Sequence, residues 1–295
     1  MLQRVRQQLP ERLKIALRSM RMGVLSVSLP RQKTFQQSED EAQAGVSISV
    51  IVAIRESYDI IRRCLVSLEE YASHSEIILV DDGTSQRVAE MLKGFQASNG
   101  WKLIRHDYPL GHSRATEVGA RIATRRLLCL LNSDTVVTPW SWKGIVKGFA
   151  MDPKIAVAGP STSWAATDQM MKTAMHCRHY WNNSQINGYA ERLVKHAQGQ
   201  GPIDLSEVGG FAFFIRRDVW EEFGGFDPKL PDYGNESELC IRILQQGWRI
   251  VWVRDSYIHH LGGQSYGSLD EKELFMKFAA ARKYIDSKHP GIKPQ

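Results

Sequence analysis

Cysteine is scarce in this 295-residue chain, which has four, at Cys64, Cys129, Cys177 and Cys240, with no Cys-x-x-Cys pair among them. Three of these fall inside apolar helix or strand patterns, so neither a disulfide framework nor a zinc site is expected, and a reducing cytoplasm is the expected compartment. Long apolar runs are missing too. No stretch reaches the ~18 residues that read as a membrane span, and the N-terminus lacks the apolar core of a signal peptide. The chain also has no Gly-x-Gly-x-x-Gly and no Gly-x-x-x-x-Gly-Lys-Ser/Thr, which removes two familiar backbone cradles for phosphate. Internal repeats and low-complexity segments are absent.

What is present is enough for a large core, with 43% hydrophobic and 24% charged residues. The net charge of +6 hints at nucleic acid until it is located along the chain. Residues 1–33 carry Arg4, Arg6, Arg12, Lys14, Arg18, Arg21, Arg31 and Lys33 against Glu11 alone, which makes that segment +7 and leaves the remainder at −1. The basic balance therefore belongs to a tail, and nucleic acid is not an expected partner of the body. Pro10 can open a helix in this tail, with Leu13, Ala16, Leu17 and Met20 on one apolar face. A basic amphipathic helix suits an anionic membrane surface, at the inner face of the membrane; packing on the body or on a protein is the alternative. Residues 34–45 are polar and read as a linker to a body spanning 46–266, with a C-terminal helix over 267–295 that opens with a Ser268-to-Glu271 capping box.

Along the body, short β-branched runs alternate with helical patterns. "VSISVIVAI" (46–54), "EIILVDD" (76–82), "WKLIRH" and "LLCLLNSD" predict strands, whereas "YDIIRRCLVSLEEY" (58–71), "RVAEMLKGF" and "RATEVGARIAT" predict helices. The alternation predicts an α/β fold built on a mainly parallel, Rossmann-like sheet with helices on both faces. Ligands of such sheets bind beyond the carboxyl ends of the strands. Two strands here end in acid, at Asp81-Asp82 and at Asp134. A lone carboxylate there is an ordinary turn former or helix cap. Two of them in neighbouring units favour a shared crevice, with Asp82 for a base or ribose and Asp134 with Asn132 for a divalent cation.

Taken together, "VSISVIVAIRESYDIIRRCLVSL", "EIILVDDGTS", "LLCLLNSDTVVTP", "GGFAFFIRRDVWEEFGGFDPKLPDYGNESELCIRILQQGWRIVWVRD" and "HHLGGQS" resemble the inverting glycosyltransferases of family 2, which have the GT-A fold. The resemblance runs in order from about residue 46 to 266, with a nucleotide-sugar half (46–134) followed by an acceptor and catalytic-base half (135–266). It implies transfer of a hexosyl or rhamnosyl unit from a UDP-, dTDP- or GDP-linked donor, with Mg2+ or Mn2+. The acceptor would be a saccharide or lipid-linked saccharide in cell-surface polysaccharide or glycolipid synthesis.

Carried over position by position, the nucleobase segment falls on Val52, Ala53, Ile54, Arg55 and Glu56, with Val52 and Arg55 departing from the usual Pro and Asn. The base-and-ribose motif falls on Asp82, Gly83 and Thr84. Where many members have Arg-Asn, this chain has Thr116-Glu117, and Arg114 is the substitute. The Asp-x-Asp metal motif appears as Asn132-Ser133-Asp134, and a His-x-x-Gly-x-Ser pattern puts His260 beside the metal or diphosphate, with Gly263 and Ser265.

Inverting transfer needs a carboxylate to take the acceptor's proton. Glu238 precedes Arg242 by four residues, the spacing of an exposed helical ion pair. Glu236 precedes Leu239, Cys240 and Ile243 at inward spacing, so Glu236 is the expected base, with a first-turn acid on the helix dipole as the alternative. His259 and His260, adjacent on one strand, should point to opposite faces. The segment "GPSTSWAATDQMMKTAMHCRHYWNNS" reads equally as a sugar platform or as core. A silent nucleotide-sugar scaffold on the same fold, and a nucleotidyltransferase on a related one, complete the possibilities.

Overall fold

The structure, a computed structural model, describes residues 47–55, 57–171, 182–262 and 271–292. The basic tail, Glu56, Cys177, Gly263, Ser265 and the Ser268 cap lie outside the described residues.

The first half follows the alternation read from the sequence: β1 (Ile48–Ile54), α1 (Tyr58–Tyr71), β2 (Glu76–Asp82), α2 (Gln86–Asn99), β3 (Lys102–His106), α3 (His112–Ile122) and β4 (Leu127–Asn132). The second half is more irregular. It runs β5 (Thr135–Val136), α4 (Lys143–Met151), β6 (Ile155–Ser161), α5 (Asn183–Ala197), β7 (Ile203–Asp204), β8 (Ala212–Arg216) and α6 (Arg217–Phe223). It then continues through α7 (Asn235–Gln245), β9 (Arg249–Tyr257), β10 (His259–His260) and α8 (Glu271–Lys288).

Eight strands form one sheet in the order β3-β2-β1-β4-β8-β6-β9-β7. β3, β2, β1 and β4 are parallel, as are β6 and β9, while β8 runs antiparallel between β4 and β6. The central strands are apolar on both faces because both are covered. Val50, Val52 and Ile54 of β1, with Cys129 and Leu131 of β4, pack with Ile61, Leu65 and Leu68 of α1 and Trp142 and Phe149 around α4. Ile51, Leu128 and Leu130 point the other way, toward Ala115 and Ala120 of α3 and Leu239, Cys240 and Ile243 of α7. Each fully buried Leu or Ile of this kind stabilises the fold by about 1.5–3 kcal/mol. Gly119 lets α3 lie close to the sheet, since a β-carbon there would collide with Ile51 and stand 3.1 Å from Val80.

One expected strand divides. "IVWVRDSYIHH" is continuous in its apolar pattern, but β9 ends at Tyr257 and the chain re-enters β structure as β10, which pairs antiparallel with β5 through His259↔Val136 and His260↔Thr135. That two-strand ribbon stands apart from the main sheet. It fastens the histidines to the residues just after Asp134.

Candidate active site

The parallel half of the sheet brings the ends of β1, β2 and β4 side by side, and the acidic ends are tied differently. Asp81 accepts from the Thr84 amide at 2.8 Å and pairs with Arg105, which closes the turn through Gly83 at φ 71°. Asp82 accepts from the amides of Leu110 at 2.8 Å and Gly111 at 3.0 Å and lies 2.9 Å from Nδ1 of His106. Three of about four acceptor positions on that carboxylate are in use. Asp82 thus orders the loop that launches α3.

The end of β4 faces the ribbon. Asp134 is buried, with its carbonyl accepting from the Leu261 amide at 3.0 Å and its Oδ1 3.2 Å from Nε2 of His260. The other ring nitrogen, Nδ1, is 2.8 Å from the carbonyl of Trp164. A carbonyl only accepts, so Nδ1 carries the hydrogen. In neutral imidazole Nε2 then presents a lone pair to a carboxylate oxygen, and two acceptors at this distance call for a proton or a cation between them. One carboxylate oxygen and one imidazole nitrogen form a donor pair that fits a Mn2+-like ion. Among the described residues no group of three His, Cys, Asp or Glu has metal-ligand geometry, so further ligands of such an ion would come from water or substrate oxygens.

His259 and His260 do diverge. His259 turns to the Tyr257 hydroxyl, 2.9 Å from its Nδ1, and is fully buried, whereas His260 turns to Asp134. The His260 ring stacks on Phe211 with centroids 5.3 Å apart and meets the edge of Trp164 at 5.3 Å. Within the Trp- and His-rich segment, Trp164 therefore borders the site.

Phe211 connects this corner to the other acid. Its carbonyl accepts from the Asn132 amide at 2.9 Å, and the preceding Gly210 lies under the side chain of Glu236. A β-carbon on residue 210 would collide with the Glu236 carboxylate, its Cδ being only 2.6 Å away. The antiparallel pairing of β8 with β4 is the cause, because it sets the entrance of β8 beside the exit of β4. Burial pushes the Glu236 carboxyl up to about 7, aided by the charge of Glu207 and opposed by a backbone hydrogen bond.

Glu238 is different in kind. The ion pair with Arg242 forms, at 3.0 and 2.9 Å from Nε, but the expectation of an exposed pair fails because Glu238 is fully buried. Lys288 at 2.8 Å and His289 at 3.0 Å reach the same carboxylate from the end of α8. Burial alone would raise this carboxyl, yet the bonds to Arg242, Lys288 and His289 hold it below its ordinary value. A carboxylate so engaged cannot serve as a free base.

Val52 and Ile54 are wholly buried on the α1 side of the sheet and paired within the ladder, so neither presents an exposed surface to a nucleotide. Arg114 is exposed on α3 while Thr116 is buried beneath it, and Ser133 is buried in the turn beside Asp134. His112 was overlooked in the sequence. It occupies the first turn of α3, where burial lowers its pKa against the opposing pull of Asp232, Asp82 and Asp134. Its signal was its place, at the start of the helix that follows the third strand. The three free cysteines among the described residues are buried, and burial holds the Cys64 thiol up at about 12, which excludes a reactive thiol there.

Comparison with known proteins bears on the family and the fold. The sequence profile of Glycosyl transferase family 2 matches residues 49–224, well over half of the chain. The chain belongs to that family of glycosyltransferases. It is 23% identical over 252 residues to the O-antigen biosynthesis protein RfbC of Myxococcus xanthus, covering 82% of this chain and 19% of that protein. Its fold matches GalNAc-T7, solved with UDP, GalNAc and Mn2+, with a TM-score of 0.60, 19% identity, and coverage of 82% of this chain and 48% of the other. It also matches the mannosyltransferase PcManGT of Pyrobaculum calidifontis, solved with GDP-Man and Mn2+, with a TM-score of 0.55, 16% identity, and coverage of 81% and 64%. The fold is GT-A. The chain spans less than a fifth of the O-antigen protein and about half of GalNAc-T7. Glu236 and His260 lie beyond the matched profile. Among the described residues no helix is long and apolar enough to cross a membrane.

Proposed function

We propose that this glycosyltransferase is an inverting, divalent-cation-dependent enzyme that moves a hexosyl or rhamnosyl unit from a nucleotide sugar to a saccharide or lipid-linked saccharide, in cell-surface polysaccharide or glycolipid synthesis. The observation that carries the reading is the Gly210-Phe211 step. It has the Glu236 carboxylate on one residue and the His260 ring, facing Asp134, on the next. A proton acceptor and a cation-holding pair thereby border one short stretch of chain. The likeness to an O-antigen biosynthesis protein supports the polysaccharide setting.

Glu236 is the general base. A carboxyl held near 7 is half ionised at neutral pH and basic enough to take a proton from an alcohol as it attacks. The acceptor oxygen bonds to C1 of the donor sugar while the bond from C1 to the diphosphate breaks on the opposite face, so configuration inverts. The proton passes to Glu236, and the electron pair leaves with the nucleoside diphosphate.

Asp134 and His260 would hold Mg2+ or Mn2+, with Asn132 beside them, and the ion would neutralise charge on the departing diphosphate. Glu56, the remaining acceptor position of Asp82, Arg114 and Ser133 are the assigned nucleotide contacts, with Val52 and Ile54 as the buried end of β1.

The test is incubation of purified protein with UDP-, dTDP- and GDP-sugars and Mn2+. Slow release of nucleoside diphosphate from one donor supports the enzyme. Binding of a donor without any turnover, even with saccharide acceptors added, supports a silent scaffold instead, the reading favoured by Asn132 in place of a second metal-motif carboxylate.

A further inference from the structure

Helix α8 has two unlike halves. Its C-terminal half is anchored, with Ile285 buried against Leu230 and Ile241, and with Ile285 and Ala281 against Gly234, where a β-carbon would stand 2.8 and 3.4 Å from them. Lys288 extends the anchor by reaching Asp227 and Glu238. Its N-terminal half carries the most exposed aromatic side chain among the described residues, Phe275 at 73%, next to Met276 at 61%. Phe278, at 51%, is partly engaged by Tyr233, with ring centroids 4.3 Å apart.

Lys272, Phe275, Met276, Ala279 and Lys283 recur at spacings of three, four, seven and eleven residues, so they share the face turned away from Ala281, Ile285 and Lys288. All five are exposed, and Arg282 borders them. Apolar tips between lysines that can bury their stems and keep their charge in water match the boundary between lipid headgroups and acyl chains.

We propose that this outward face of α8 seats on an anionic lipid surface. A second copy of the chain is a poor occupant, because the five residues of this face include no acid that could pair with Lys272 and Lys283 across a two-fold. A bilayer rich in acidic lipid supplies the opposite charge along the whole face. α8 packs on Leu230 and Gly234 and meets α7 through Glu238 and Ile241, roughly opposite Glu236 around that helix. Attachment to the surface therefore does not depend on the enzyme reading above.

The experiment is cosedimentation of the full chain with phosphatidylcholine vesicles, with and without phosphatidylglycerol. The comparison variants are Phe275→Ser with Met276→Ser, and Lys272→Glu with Lys283→Glu. The wild-type chain should partition onto the acidic vesicles and release in high salt. Both double variants should bind at least about tenfold more weakly, each basic residue near such a surface being worth about fivefold. Thermal unfolding should be unchanged, since these side chains are exposed. Equal partitioning of variants and wild type overturns the proposal and points to the basic residues 1–33. No partitioning by any form overturns it as well. So does a concentration-dependent dimer in sedimentation velocity that the apolar double variant abolishes. Transfer to a free saccharide acceptor, measured in parallel, reports on the enzyme reading separately.

Discussion

Gly210 and Glu236 are in a contact that only glycine permits: the carboxylate occupies the space a β-carbon on residue 210 would need. Gly210→Ala should therefore displace the base without touching the end of β4. Transfer is expected to fall by about 10², with Mn2+-dependent donor affinity within a few-fold of wild type. Steady-state rates paired with calorimetry decide it. An alanine variant with normal kcat would remove Glu236 from the reaction.

Glu236→Gln should retain donor binding and lose about 10² to 10⁴ in transfer. In the wild type, kcat/KM should rise with pH and level off above about 7, because the base must be ionised and burial holds its carboxyl up at about 7. A profile that is flat from pH 5 to 9 would contradict this.

The same shift governs stability. A raised carboxyl pKa means the folded state binds a proton more tightly than the unfolded chain, so stability falls as pH rises from about 4.5 through about 7. Above that window the ionised group costs up to about 3 kcal/mol. Urea unfolding should therefore find Glu236→Gln more stable than wild type at pH 8, with the two converging below pH ~4.5.

Asp134→Ala and His260→Ala should each abolish Mn2+-dependent donor binding, because either change leaves one ligand where the geometry offers two. Circular dichroism should remain that of a folded protein. Calorimetry that shows wild-type, Mn2+-dependent affinity in both variants would refute the cation site.

Removing the chain from Lys288 onward should leave buried Glu238 with Arg242 alone and destabilise the fold by about 1.5–3 kcal/mol for each charged hydrogen bond lost. Since its partners lower the Glu238 carboxyl in the folded state, their contribution is present above the ordinary carboxylate pKa and fades as pH falls below it. Truncated and full-length proteins compared by urea unfolding should thus differ more at pH 7 than at pH 3. An unchanged midpoint at pH 7 would show that the contacts contribute nothing.

Much of the first half of the fold was legible in the sequence because its information is local. Alternating runs of β-branched residues and 3.6-residue apolar spacing, as in Ile61, Leu65 and Leu68, announce β1 through β4 without reference to anything distant. The inward setting of Glu236 was legible for the same reason. What escaped depends on partners far along the chain. Glu238 looks exposed until α8 brings Lys288 and His289 to it. The apolar pattern of "IVWVRDSYIHH" cannot reveal that its last two residues leave the strand to pair with β5. His112 gains its meaning only when the ends of β2 and β4 and the loop before α7 surround it with Asp82, Asp134 and Asp232.

Beside the ribbon of β5 and β10, the contact of Asp134 with His260 joins residues 126 positions apart. Contacts of such long sequence separation require a large loss of chain freedom before they form, so they are late events in folding. The local βαβ units from β1 to β4 can assemble earlier, giving a partly folded chain that already presents Asp134 but has no imidazole opposite it. Order at this corner therefore reports completion of the fold as a whole. An ion that favours the finished pair would draw the last stage of folding forward, which makes refolding rate in Mn2+ an additional, purely kinetic view of the same two residues.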